Sequence, residues 1–357
     1  MKVAILTFHE GINHGAFFQA YFLQEYLKSK GCLVDILNYK NRIHKTNEQS
    51  IFLKTPNIKL LLKNILKIKN FRGDQAQKLS LRPRRLTCNH EIISAISRQY
   101  NLIIIGSDVV WEYDNAFFGA DPIYFGYKLF PQDKIATYAA SIGSASGSPP
   151  SYVKSNLRKF DAISVRDENT YSFAIKNTNH TISSVVDPTM LLKVDEIVDK
   201  CSIPLKKPIV QKYILVYAHT LESHIYKCMD QFATQNNLDI VVTGYDHNIK
   251  AIKRITAGPL AWISLFYHSD YVLTSTFHGV LFSIIFQKDF LVITSLSNEA
   301  KITSVLKELN LLDRLVKTSS DFTRLIQPID WASVNKLLES KRASSCKYIE
   351  HILNPSQ

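Results

Sequence analysis

The chain has 357 residues, 46% hydrophobic and 21% charged, with a formal net charge of +12. That length corresponds to roughly two domains of about 150 residues, and the composition excludes a disordered, collagen-like or low-complexity chain. Five cysteines (Cys32, Cys88, Cys201, Cys228, Cys346) stand far apart, with no C-x-x-C or Cys/His cluster, which argues against a zinc site or a disulfide framework.

The first element, Val3–Thr7, is a β-rich run. It is too short for a signal peptide, and no run in the chain reaches the roughly 18 apolar residues of a membrane span. A cytoplasmic chain is expected. The loop His9–Gly15 follows, then a helical pattern from Ala16 to Lys30 closed by Gly31, then a strand at Leu33–Tyr39.

Positive charge is concentrated next. Lys54 to Arg85 holds ten basic residues and one acid, Asp74, a net +9. Ile58, Leu61, Leu62, Ile65 and Ile68 recur there at helical spacing, with Lys59, Lys63, Lys67 and Lys69 between them. This basic amphipathic helix leaves two readings open: an ordinary surface helix with a solvated basic face, or docking on an anionic membrane surface. No aromatic interleaving or nucleic-acid motif accompanies the charge, so nucleic acid is not an expected partner.

Apolar strands then alternate with helices. Strands are expected at Leu102–Ile105, Lys134–Ser141, Asp161–Val165 and Ser184–Val186. After a polar break at 195–212 come strands at Tyr213–Ala218, Asp239–Gly244, Tyr271–Thr274 and Phe290–Thr294. Helices are expected to Asn236 and at Ala261–His268, Gly279–Gln287 and Lys301–Asn310. Continuous apolar strands alternating with helices predict parallel sheets covered on both faces. The expected class is α/β, with two Rossmann-like doubly wound domains at 1–200 and 210–325. A helical segment, 326–357, is expected to pack back on the first domain.

Ligands in such sheets sit beyond the carboxyl ends of the strands. Four places there carry candidate chemistry. Asn13-His14-Gly15 opens a helix, where backbone amides attract anions, although ordinary loop packing explains it as well. The loop lacks G-x-G-x-x-G, so no dinucleotide cofactor is expected. Gly106-Ser107-Asp108, with Trp111, offers a carboxylate that either caps a helix or takes a proton from a sugar hydroxyl. Arg166 closes an apolar strand. It either pairs with Asp167, Glu168 or Asp187, or clamps a carboxylate or phosphate. The most specific cluster is Thr274-Ser275-Thr276-Phe277-His278-Gly279 before an apolar helix. There His278 is either a satisfied packing residue or, as its strand–turn–helix setting favours, an acid/base beside a bound anion. No histidine shows metal-ligand spacing, and no metal is expected.

These segments together resemble the polysaccharide pyruvyl transferase family. The matching pieces, in order, are Asn13-His14-Gly15 with Gln19–Leu27, Ile105–Trp111, Tyr138–Gly143, Ile163–Glu168, Val186–Thr189, Thr274–Gly279 and Val305–Asn310. The resemblance implies a fold like the GT-B glycosyltransferases, two Rossmann domains facing across a cleft. It implies transfer from phosphoenolpyruvate, a co-substrate with no further cofactor, to a sugar diol. The product would be a pyruvate ketal on a bacterial capsule or exopolysaccharide glycan, or on its lipid-linked precursor. Carried over by motif, His278 is the catalytic acid/base candidate and Arg166 a clamp for phosphoenolpyruvate; Asp108 is the second catalytic candidate, from its place after the Leu102–Ile105 strand. Arg166, Ser275, Thr276, Gly279 and Lys301 would bind the donor. Asn13, His14, Gly15, Ser107 and Trp111 would bind the acceptor. Some family members carry Arg where this chain has Thr276, an aromatic where it has His14, and an acid where it has Asn101. A nucleotide-sugar glycosyltransferase and a non-catalytic glycan-binding protein are the competing readings.

Overall fold

Short runs of Ile, Val and Leu, buried on both sides, form the two main sheets. The structure, a computed structural model, describes residues 1–219, 221–245, 253–294, 299–316 and 319–354. The chain divides into two units: Met1–Leu192 with Ser340–Gln357, and Lys193–Glu339.

The elements of the first unit are β1 (Lys2–Leu6), α1 (His14–Ser29), β2 (Leu33–Tyr39), α2 (Arg42–Leu53), α3 (Ile58–Lys78), β3 (Leu81–Thr87), α4 (His90–Ser97), β4 (Leu102–Ile105) and β5 (Lys134–Thr137). After these come α5 (Tyr152–Leu157), β6 (Ile163–Val165), α6 (Glu168–Asn177) and β7 (Ile182–Ser184). The sheet order is β3-β2-β1-β4-β5, all parallel. Bridges Ala136↔Ala162 and Ala140↔Val165 lead on to the β6-β7 pair. Strands β2 and β3 lie on one side of β1, and β4 and β5 on the other. Right-handed crossovers therefore place helices on both faces, which is the doubly wound arrangement expected.

The second unit repeats this plan. It contains α7 (Val194–Cys201), β8 (Tyr213–Tyr217), α8 (Ser223–Gln235), β9 (Asp239–Thr243), β10 (Lys253–Ile255), α9 (Pro259–His268), β11 (Tyr271–Thr274), α10 (Phe277–Ile285), β12 (Asp289–Val292) and α11 (Glu299–Glu308). Its order is β10-β9-β8-β11-β12, again all parallel. The last helix, α12 (Trp331–Leu353), begins in this unit, and its later part belongs to the first. The later part is fixed there by hydrogen bonds. The Tyr348 hydroxyl donates to the Thr137 carbonyl at 2.7 Å, and the Val186 amide donates to Ser345 Oγ at 2.9 Å. The segment 326–357 is thus shared between the units rather than standing as a third piece.

Two strands, β3 and β10, escape the sequence reading, and both are sheet edges. Strand β3 reads Leu-Arg-Pro-Arg-Arg-Leu-Thr, charged and proline-bearing, as edges that resist further pairing usually are. Its pairing with β2 shifts register between Leu37 and Tyr39. At that irregularity the Asn38 side chain donates to the Pro83 and Arg84 carbonyls, at 3.1 and 3.2 Å.

Candidate functional site

In each unit the strand order reverses beside the central strand, between β1 and β4 and between β8 and β11. Loops part at such switch points and leave room for ligands. All the site candidates except Lys301, Trp111 and Arg166, which follows β6, lie in the loops and helix starts that follow these strands.

In the first unit, Gly106 turns the chain at the end of β4 with φ of +102°, and a Cβ there would meet the Tyr138 carbonyl at 2.6 Å. Only glycine fits. Asp108 follows in the left-handed region, φ 71°. Its carboxylate accepts from the Val109 amide at 2.8 Å and lies 3.4 Å from Arg166. Arg166, at the end of β6, also donates to Asp187 at 2.6 Å. The side chains of Arg166 and Asp187 are 3% and 1% exposed, against 13% for Asp108. Burial alone would lower the Arg166 pKa, but Asp187, Asp108 and Asp167 outweigh it and hold the guanidinium firmly charged. Asp187 also caps the next turn, accepting from the Thr189 amide at 3.0 Å.

The pairing alternative for Arg166 is therefore the one found. The guanidinium is buried between two carboxylates, Asp108 and Asp187. Several acceptor candidates are likewise structural. Trp111 is fully buried, stacks on Phe125 at 5.5 Å and donates its indole N–H to the Tyr124 carbonyl at 2.7 Å. His14 is 2% exposed and packs on Phe71 at 4.6 Å. Asn13 caps α1, accepting from the Ala16 amide at 3.2 Å, and Gly15 is buried in the first turn. Ser107 is fully buried, and its hydroxyl donates to Gln19 at 3.1 Å. Each was expected at a ligand because of its place beside a strand end. Trp111, His14, Gly15 and Ser107 are instead buried inside the unit, while Asn13 is exposed at the start of α1.

Gln19 is a residue the sequence reading missed. It is fully buried in an aromatic helix. Its Nε2 donates to the Phe8 and Ala16 carbonyls at 2.8 Å each, while Oε1 accepts from Ser107. It thereby ties the end of β1 to the end of β4. The signal was a lone amide within Phe17-Phe18-Gln19-Ala20-Tyr21-Phe22.

The second unit builds its strand ends from hydroxyl side chains and a histidine. Thr276 is the N-cap of α10, its Oγ1 accepting from the Gly279 amide at 2.9 Å. Thr274 donates to the Tyr217 carbonyl at 2.6 Å and so ties β11 to β8. Ser275 accepts from the His219 amide at 2.8 Å. A Cβ on Gly279 would stand 2.0 Å from Thr274 Oγ1, so the helix can lie this close to the strand only with glycine there. His278 is half-exposed in the first turn, where unsatisfied amides and the helix dipole favour a bound anion. Lys301 stands on α11, which packs on α10, and not in the β11–α10 turn itself.

His219 and Tyr245, also missed, close the group, with rings 4.3 Å apart. Burial pushes the Tyr245 hydroxyl up to about 12. Their signal was position, directly after the β8 and β9 patterns. Among the described residues no cluster of three or more His, Cys, Asp or Glu is placed to hold a metal ion. No helix among them is long and apolar enough to cross a membrane.

The family model described as "Polysaccharide pyruvyl transferase" matches residues 13–298. No curated protein matches the chain. Among solved structures, the UDP-GlcNAc 2-epimerase from Neisseria meningitidis bound to UDP-GlcNAc is similar at 12% identity. It covers 99% of this chain and 100% of its own, with a TM-score of 0.53. The Methanocaldococcus jannaschii UDP-GlcNAc 2-epimerase in complex with UDP-GlcNAc and UDP is similar at 14% identity, with 99% of each chain covered and a TM-score of 0.50. Likeness at such identity shows the fold, of the two-Rossmann GT-B type.

Proposed function

We propose, because the chain belongs to the polysaccharide pyruvyl transferase family, that it moves the enolpyruvyl group of phosphoenolpyruvate onto a sugar diol of a bacterial surface glycan. The observation that carries the reading is His278 in the first turn of α10, at the end of a central strand, beside Ser275 and Thr276.

The residue types suit the reaction. Phosphoenolpyruvate brings a phosphate and a carboxylate, and the first-turn amides of α10 offer an anion a cradle of hydrogen-bond donors. One sugar hydroxyl adds to C2, loses its proton to a base, and C3 gains a proton to become a methyl group. The second hydroxyl then displaces phosphate from C2. The C–O bond to phosphate breaks, and its electron pair leaves with the phosphate. In this reading His278 takes the proton of the second hydroxyl and gives it to the departing phosphate, a role typically contributing about 10²–10⁴-fold.

The UDP-GlcNAc bound to the Neisseria relative favours a second reading, a nucleotide-sugar enzyme on the same fold. Calorimetry with phosphoenolpyruvate and with UDP-GlcNAc separates the two. Saturable phosphoenolpyruvate binding is expected, with inorganic phosphate released when a glycan diol is added. UDP-GlcNAc binding without phosphoenolpyruvate binding would overturn the proposal. Glycan binding without turnover, unchanged by His278→Ala, would point to a non-catalytic protein.

A further inference from the structure

Helices α2 and α3 form a hairpin that departs from how surface helices behave. An amphipathic surface helix turns its apolar stripe inward and leaves its charges in water. Here α2 buries only His44, and α3 buries only Phe71 and Gln75, both in its second half. Ile51, Leu53, Ile58, Leu62, Ile65 and Leu66 are between 45% and 72% exposed. Contiguous exposed apolar surface of this kind marks a site of interaction.

The base of the hairpin is firmly built. Phe71 packs on His14, and Gln75 donates to the His9 carbonyl at 2.8 Å. Arg72 pairs with Glu10, and Lys40 pairs with both Glu10 and Glu48. Glu48 accepts from the Ile12 amide at 2.7 Å. Within the hairpin, Asn64 donates to the Phe52 carbonyl at 2.9 Å, and the Lys67 ammonium lies 5.4 Å from the Phe52 ring. The apolar side chains are thus presented by an anchored pair of helices.

Charge decides what covers them. Lys54, Lys59, Lys63, Lys67, Lys69 and Arg72 lie in this stretch, and no acid stands between Lys54 and Arg72. A second copy of the hairpin would bring like charge against like charge. Nucleic acid would use the lysines but leave Ile and Leu without a role, since bases stack on aromatic rings. A surface with both an apolar interior and anionic headgroups uses both sets of side chains.

We propose that the α2–α3 hairpin docks the protein on an anionic lipid surface, with Ile and Leu in the headgroup–acyl boundary and the lysines among the phosphates. The proposal stands independently of the reaction assigned above.

The full chain is tested by flotation with phosphatidylcholine vesicles, with and without phosphatidylglycerol. Binding is expected only with phosphatidylglycerol, and raising the salt should remove it. Lys59→Gln with Lys63→Gln should weaken binding about 25-fold, at about 5-fold for each basic residue. Leu62→Gln with Ile65→Gln should weaken it by about 10-fold or more. Both pairs are surface changes, so the melting temperature should hold. Equal binding to neutral and anionic vesicles, no binding, or binding indifferent to both pairs would overturn the proposal. So would low-salt dimerisation abolished by Leu62→Gln, since a second copy would then cover the patch.

Discussion

The two units arrange their central strands in the same order but fill the loops around their strand ends in different ways. In the first, Arg166, Asp187 and Asp108 answer one another's charge inside the protein. In the second, Thr274, Ser275, Thr276 and His278 surround a helix start with hydroxyls and an imidazole. One fold position serves two purposes. Charges closed on themselves fix loop geometry, whereas a helix N-terminus ringed by hydroxyls keeps a positive end that suits an anion. Replacing Arg166 should therefore act first on stability, and replacing His278 first on turnover.

The largest expected effect is His278→Gln. Phosphate release should fall about 10²–10⁴-fold, with the melting temperature held. A large drop in melting temperature alongside it would break the contrast. Arg166→Met should do the reverse first: urea unfolding should show a loss of about 3–5 kcal/mol, because two buried carboxylates lose their counter-charge. Replacing Asp187 by Leu in the same chain should recover part of that loss. An Arg166→Met protein of full stability would mean that the arginine is not the structural group its burial indicates.

Acid sharpens the contrast further. Burial first of all, with Lys40 and Arg72 adding to it, holds His9 down at about 4, below its ordinary 6.5. His44 is likewise held at about 3, again chiefly by burial. The unfolded chain binds these protons first. Their stabilisation is thus complete above pH 6.5 and is lost as pH falls toward 4. For His9 alone that amounts to roughly 3 kcal/mol. Calorimetry across this range should show the first unit giving way, and His9→Gln should flatten the slope. The smallest expected effect is Gly279→Ala. Its methyl group meets Thr274 and Thr276, and such overpacking costs about 1–3 kcal/mol. Chemical unfolding monitored in the second unit checks it.

The sheets were legible because their central strands are apolar on both sides, as in Leu102–Ile105 and Tyr213–Tyr217. The edges were not, because Arg82, Pro83, Arg84 and Arg85 obey the rules of edges rather than of strands. At the candidate site the hydroxyl-rich turn before α10 was legible, since cap, histidine and glycine are adjacent in sequence. Trp111 and His14 were misread for the complementary reason. Position beside a strand end says nothing about whether a side chain turns outward or into the core. His219, Tyr245 and Gln19 come together with their partners only through the sheet order, and no local spacing reports that.

The lysines of the α2–α3 hairpin also govern how this protein behaves in a concentrated solution. In dilute buffer they hold neighbouring molecules apart. Their field reaches about 10 Å at 0.1 M ionic strength and about 3 Å at 1 M. Strong brine would leave each molecule showing its neighbours little but Ile and Leu. The usual remedy for a sticky basic protein, more salt, should here promote precipitation, and Leu62→Gln with Ile65→Gln should restore solubility under those conditions.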